Sequence, residues 1–151
     1  MAGDARPLIR EARPEDFGRW LPLWEGYNRF YERSIPEAVT RGTWARFFQL
    51  EEEMHALVAE QDGGLTGMVH YLYHRSTSSL APVCYLQDLY ALPALRGKGV
   101  GRALIEAVYD RARAAGSPRV YWLTQEGNAV ARRLYDRVAE RSGFIQYRRQ
   151  F

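Results

Sequence analysis

Gln87-Asp88-Leu89-Tyr90-Ala91-Leu92-Pro93-Ala94-Leu95-Arg96-Gly97-Lys98-Gly99-Val100-Gly101-Arg102 decides the fold. Residues 83–91 are rich in Val, Tyr and Leu and predict a strand. Pro93 ends it, because proline cannot donate to a sheet ladder. Apolar Val100, Ala103, Leu104, Ala107 and Val108 then recur at helical spacing, which predicts a helix over 100–115. Gly116 and Pro118 stop it.

Between strand and helix lies a tight basic loop. Gly97, Gly99 and Gly101 let the backbone approach a ligand without side chains in the way. A helix N-terminus carries partial positive charge and unpaired N–H donors, and Arg96, Lys98 and Arg102 add full charges. Together these features predict a pyrophosphate cradle. A dinucleotide fingerprint would need glycine where Arg102 stands, and a P-loop would need Gly-Lys-Ser/Thr after a four-residue gap.

Arg96-Gly97-Lys98-Gly99-Val100-Gly101 resembles the Arg/Gln-x-x-Gly-x-Gly/Ala signature of the GNAT superfamily of acetyl-CoA-dependent N-acetyltransferases. The flanking Leu-x-Asp-Leu-Tyr strand and amphipathic helix are similar too. The resemblance is strong through the C-terminal half, to about Phe144, and lies only in element order before it. It implies that Arg96, Gly97, Lys98, Gly99, Val100, Gly101 and Arg102 hold the coenzyme A pyrophosphate. It also implies that backbone N–H groups of Leu89, Tyr90 and Ala91 face the acetyl carbonyl and pantetheine. Asn128 and Tyr135, in Asn-x-x-Ala-x-x-Leu-Tyr, look like the second signature. There the Asn touches the pantetheine arm and the Tyr lies beside the acetyl sulfur. Tyr-Leu-Gln-Asp-Leu-Tyr and Arg-Arg-Leu-Tyr-Asp-Arg look closest to the polyamine- and histone-acetylating branches.

Composition bounds the rest. A chain of 151 residues, 46% hydrophobic and 26% charged, suits one globular domain over 1–151. No apolar run is long enough for a membrane span, and residues 1–10 lack a signal core, so no membrane partner is expected. The net charge of +3 comes without a dense Lys/Arg block, so nucleic-acid binding is not expected. A single cysteine, Cys84, excludes an intrachain disulfide and points to a reducing, cytoplasmic location. Its apolar strand context predicts a buried, inert thiol.

In the N-terminal half, residues 8–12 read as a strand, and a helix is expected over 14–31 with acids in its first turn. Phe17, Trp20 and Leu21 suit a core face. Trp24, Tyr27 and Tyr31 lie one face along and are candidates to line an acceptor pocket. A second helix is expected over 36–53, ending in the acidic run Glu51-Glu52-Glu53. Met54–Gln61 and residues 65–74 read as a hairpin around Asp62-Gly63-Gly64, with Gly67 a candidate bulge. His70 and His74 share a strand face, and with no further ligands placed to help they read as structural or solvent-facing, not as a metal site. After the central helix, 119–124 predicts a strand, Asn128 opens a second helix as N-cap and Gly143 ends it, and 144–151 predicts a last strand.

The expected architecture is α/β: a mixed, mostly antiparallel sheet of six to seven strands with helices on both faces. The expected chemistry is acetylation of a primary amine by direct attack, the acceptor being a small amine such as a polyamine or amino acid, or a lysine side chain. An alkylammonium is neutral only about once in a few thousand at pH 7, so its proton must go somewhere. Tyr135 suits protonation of the leaving thiolate. The base is open: related polyamine acetylases carry Glu where this chain has Gln87, which can orient an amine or a water but not take a proton. Regular alternation puts Asp88, the nearest carboxylate, on the opposite face from Gln87, and Glu25 and Glu51 are remote. The rival readings are a non-catalytic acyl-CoA-binding or sensor domain and a nucleotide-binding module. The aromatic excess and the terminal strand predict an edge or patch covered in a homodimer.

Overall fold

The computed structural model describes residues 6–151; Met1 to Ala5, part of the stretch read as lacking a signal core, lie outside it. Strands β1 (Leu8–Glu11), β2 (Met54–Gln61), β3 (Gly64–Ser76), β4 (Ser79–Ala91) and β5 (Val120–Tyr121) form one sheet in that order. The first four pair antiparallel and β5 joins β4 in parallel. The sheet is mixed and mostly antiparallel, but among the described residues it has five strands and not six to seven. The terminal strand expected over 144–151 does not form, because that segment pairs with no strand of the sheet. The run 119–124 pairs only at Cys84↔Val120 and Tyr85↔Tyr121, after which β5 leaves β4. At the hairpin, Asp62 and Gly63 both take positive φ, 52° and 77°, as a two-residue turn between twisted strands requires.

Helices α1 (Phe17–Phe30) and α2 (Glu37–Arg46) cover one face; α3 (Val100–Ala114) and α4 (Ala129–Val138) cover the other. Residues 14–16 form a 3-10 turn instead of the first turn of α1. The second helix stops seven residues before its expected end, because the N–H groups of Phe47, Phe48 and Gln49 each bond back three residues and tighten the chain. Helix α4 stops at Val138, short of Gly143. On the α3 face, Leu57, Val69, Cys84, Leu104, Ile105 and Val108 are fully buried. Each large aliphatic among them stabilises by about 1.5–3 kcal/mol.

Gly67 sets the height of α3. A Cβ there would lie 2.8 Å from Val100 Cγ1, 3.0 Å from Leu104 Cδ1 and 3.0 Å from the Tyr90 carbonyl oxygen. The first turn of α3 therefore rests directly on β3. The bulge expected at Gly67 falls on the adjacent Thr66, which is left unmatched between Glu60↔Leu65 and Ala59↔Gly67.

A buried ion network ties β1 to α1 and β2. Asp16 is fully buried and accepts from Arg10 Nη1 at 2.7 Å and Nη2 at 3.0 Å, from Arg19 Nη2 at 2.6 Å and from the Arg13 N–H at 2.8 Å. Arg10 Nε also donates to Glu60 at 2.6 Å. The bond from Arg10 holds the Asp16 carboxyl well below its ordinary value of 3.8, against the opposing effect of burial. A depressed carboxylate contributes stability that is complete above the unfolded value and lost as pH falls toward the folded one. Asp16→Ala leaves the buried Arg10 guanidinium with Glu60 as its one charged partner and should cost about 3 kcal/mol in urea unfolding at pH 7. Below about pH 4 the wild-type protein should lose stability more steeply than the mutant. Equal unfolding midpoints at pH 7 would show that the network carries no net stability.

Candidate active site

The glycine loop leaves open backbone at the start of α3. Gly97 and Gly99 have φ of 78° and 85°, and no atom lies within 4 Å of the Cβ either would carry. Gly99 is the N-cap of α3 and supplies no side-chain cap. The first bond of the helical ladder there runs from the Ala103 N–H to the Gly99 carbonyl at 3.0 Å, which leaves the N–H groups of Val100, Gly101 and Arg102 outside it. Arg96 and Lys98 are exposed, and the Arg96 guanidinium lies over the Phe30 ring at 5.6 Å. Arg102 pairs with Glu106 at 2.9 Å. Gly101 serves the packing of two helices, since its Cβ would face Leu134 Cδ2 at 3.4 Å and its absence lets α4 approach α3.

Strand β4 is open along one edge. Its parallel pairing with β5 ends at Tyr85↔Tyr121, yet β4 continues to Ala91. The side chains of Leu89 and Ala91 pack on the α3 face, and Tyr90 runs under α1, where a Cβ at Gly26 would fall 2.6 Å from its hydroxyl. Leu89, Tyr90 and Ala91 lie on the part of β4 that has no β5 partner.

A bulge redirects the same strand. Tyr71 pairs with Leu86 but His70 pairs with Asp88, so Gln87 is the extra residue, and it is exposed. Leu86 faces the α3 core, and the inserted residue turns Asp88 toward α1. There Asp88, 7% exposed, lies 2.9 Å from His70 Nδ1. Trp20 Nε1–H donates to His70 Nε2 at 3.0 Å. An accepting Nε2 puts the ring proton on Nδ1, so His70 donates to Asp88. Tyr27 closes the set: burial first, then the charge and hydrogen bond of Asp88, push its hydroxyl pKa far up. Regular alternation did not signal that Asp88 would enter this cluster.

The expected acceptor-lining residues separate. Trp24 stacks between Trp20 and Tyr27, at 5.7 Å from each ring, and its Nε1–H donates to Thr40 Oγ1 at 3.0 Å. It lines a groove of about 780 Å³ between α1 and α2, with Asn28, Arg33, Thr40 and exposed Glu25. Tyr27 and Tyr31 pack edge-on at 5.1 Å and face Asp88. Sequence reading missed Arg33, whose guanidinium sits over both tyrosine rings, at 5.2 and 5.6 Å, and donates to Asn28 Oδ1 at 3.0 Å. Glu32, at φ 54°, makes the left-handed turn that delivers it. Glu51 lies exposed in the turn before β2.

Helix α4 brings in Tyr135. Its ring packs on Trp122 at 5.3 Å. Burial, with a smaller contribution from nearby Tyr31, pushes its hydroxyl up to about 12. Asn128 stands at the N-cap but does not cap with its side chain, whose Nδ2 reaches Thr124 Oγ1 at 3.5 Å. Cys84 is buried, and burial pushes its thiol up to about 12. Among the described residues, no group of three or more His, Cys, Asp or Glu side chains is placed to hold a metal ion.

The chain belongs to the acetyltransferase (GNAT) family, whose model matches residues 18–139, and it is an N-acetyltransferase that uses acetyl-CoA. It is 36% identical to a D-amino-acid N-acetyltransferase of Saccharomyces cerevisiae, over 95% of this chain and 91% of that protein. It is 28% identical to a thialysine N-epsilon-acetyltransferase of Mus musculus, over 95% and 92%. An aminoglycoside N-acetyltransferase solved with CoA shares the fold, with a TM-score of 0.84 at 17% identity over 99% of both chains.

The loop fits coenzyme A, and one substitution tests it. Gly99→Glu places a side chain and a negative charge in open, left-handed backbone, and calorimetry on the folded mutant should show CoA affinity lost. Gly101→Glu should also lower the melting temperature, because its side chain meets Leu134. Unchanged CoA affinity in Gly99→Glu would remove the loop from the cofactor site.

Proposed function

We propose that this chain, as one domain over 1–151, transfers the acetyl group of acetyl-CoA to the amino group of a free amino acid by direct attack. The observation that carries this reading is the convergence of Asp88, Tyr27, Tyr31 and Tyr135 beside the open edge of β4. Arg33 supplies the acceptor preference. An amino acid offers a carboxylate for the guanidinium and an amine for the Asp88 side. A polyamine would set a second ammonium against Arg33, and a lysine side chain has no carboxylate near its amine. The similarity to a D-amino-acid acetyltransferase supports this choice over the polyamine branch.

Acetyl-CoA supplies an activated thioester. The loop from Arg96 to Arg102 holds the pyrophosphate, and Asn128 takes the pantetheine arm. Gln87, exposed on the bulge, orients the incoming amine, and Trp24 walls the acceptor groove. The ammonium loses its proton toward Asp88, which His70 and Tyr27 hold in place. Free N–H groups of β4 between Leu89 and Ala91 donate to the developing oxyanion, an interaction worth roughly 3 kcal/mol. Tyr135 keeps its proton across the working range and gives it to the departing thiolate. A buried thiol at about 12 makes Cys84 a poor covalent relay, which supports direct attack. A carboxylate at the site also weakens the non-catalytic sensor reading. Among the described residues no helix is long and apolar enough to cross a membrane. The single buried thiol suits the cytoplasm, and we place the chain there as a homodimer.

Two substitutions separate these roles. Arg33→Gln should raise KM for an amino acid about tenfold to a hundredfold, the cost of one charged hydrogen bond, and leave KM for the matching amino acid amide unchanged. Equal effects on both acceptors would show that Arg33 does not read the carboxylate. Tyr135→Phe should lower the chemical step about a hundredfold to ten-thousandfold while stability and CoA affinity hold. Single turnovers at saturating amine report this directly. An unchanged step would make Tyr135 a core residue. Thiol release from acetyl-CoA with a panel of amino acids, amides and polyamines tests the activity as a whole.

A further inference from the structure

A buried hydrogen-bond chain runs from α1 across β3 to the bulge of β4. Its members Trp20, His70 and Asp88 are 0%, 4% and 7% exposed. Trp20 Nε1–H donates to His70 Nε2 at 3.0 Å, and His70 Nδ1 lies 2.9 Å from Asp88 Oδ2. The imidazole is packed by aromatic rings, with Phe47 at 4.8 Å, Trp24 at 5.4 Å and Trp20 at 5.8 Å between centroids.

An indole N–H can only donate, so it decides the state of the histidine. In the opposite tautomer two N–H groups would face each other at Trp20, and a lone pair would face the carboxylate at Asp88. Both contacts would be lost inside an apolar layer, where unpaired polar groups are costly. A second proton on the ring meets the same indole N–H. His70 is thus a fixed donor whose one lone pair is already engaged. Asp88 receives donors from His70 and Tyr27 and keeps lone pairs for a third.

We propose that Trp20 is a positioning residue for acetyl transfer: through His70 it fixes the N–H that aims Asp88, and it bars the imidazole from taking the proton of the amine. This rests on the reading of Asp88 as the group that receives that proton. The ammonium N–H bond breaks, the proton passes to an Asp88 oxygen, and the freed lone pair attacks the thioester carbonyl. The C–S bond then breaks and the thiolate takes the Tyr135 proton. With the inward path closed at His70, the proton on Asp88 leaves toward solvent at the bulge, where Gln87 is exposed.

The test uses the full chain and thiol release in single turnovers at saturating acetyl-CoA and amino acid. Trp20→Phe keeps a ring and deletes the donor, and should slow the step about tenfold to a hundredfold. Trp44→Phe thins the same cluster, 4.6 Å from Trp20, and should leave the step unchanged. Equal losses in these two variants would reduce Trp20 to packing. His70→Asn retains an N–H for Asp88 and should stay within about tenfold of wild type, whereas His70→Phe should lose about a hundredfold. Equal losses there would make His70 a proton carrier and overturn the proposal. Asp88→Asn should lose about a hundredfold or more. Adding Trp20→Phe to it should slow the step by less than about twofold, and full additivity would uncouple Trp20 from Asp88. An Asp88→Asn variant as fast as wild type would instead end the reading of Asp88 as the proton acceptor. Nitrogen NMR of histidine-labelled protein reads the tautomer without turnover, and needs only the wild-type chain if Trp20→Phe misfolds. The Nδ1–H form at His70 is expected, and an Nε2–H form would overturn the proposal whatever the activity.

Discussion

The insertion of Gln87 into β4 is the constraint on which the site depends. Side chains alternate across a strand, so one extra residue moves every later side chain to the other face. Without it, Asp88 would follow Leu86 into the apolar layer under α3, where a carboxylate is costly. With it, Asp88 meets His70 and Tyr27 on the α1 side, while Leu89 and Ala91 still fill the α3 side. Pairing of β4 with β5 ends at Tyr85, so the bulge that aims the carboxylate lies next to the stretch of β4 left unpaired on that edge.

Two close approaches keep the halves of the site in register. At Gly67 the first turn of α3 rests on the sheet, which positions the phosphate loop relative to β3. At Gly26 the Tyr90 hydroxyl tucks under α1, which positions the tyrosines of that helix relative to β4. The Arg10–Asp16–Arg19 network then anchors the start of α1 to β1. The cofactor side hangs from α3 and the acceptor side from α1, and the sheet between them is the common reference.

What was legible in the sequence was local. The glycine loop, its flanking strand and helix, and the hairpin at Asp62-Gly63 each depend on residues close in the chain, and each forms where expected. Helical spacing singled out Tyr27 and Tyr31, and family resemblance singled out Tyr135, but nothing in the sequence joined the three. The bulge was not legible, because nothing in Leu-Gln-Asp-Leu marks an unpaired residue, and regular alternation then misdirects Asp88. Asp16 read as an ordinary first-turn acid, because its partners come from β1 and from the next turn of the helix. His70 read as structural or solvent-facing, and its bonds to Trp20 and Asp88 come from opposite sides of the chain. The segment 144–151 has the composition of a strand, but composition cannot supply an edge to pair with.

The burial of Cys84 has a practical consequence for biochemistry on this chain. Its sulfur is out of solvent and holds its proton far above assay pH. The folded protein is therefore nearly invisible to thiol-detecting dyes, and coenzyme A set free in turnover is read against almost no background. A rise in dye signal in the absence of acetyl-CoA then reports unfolding, which makes the one cysteine an internal sensor of sample integrity.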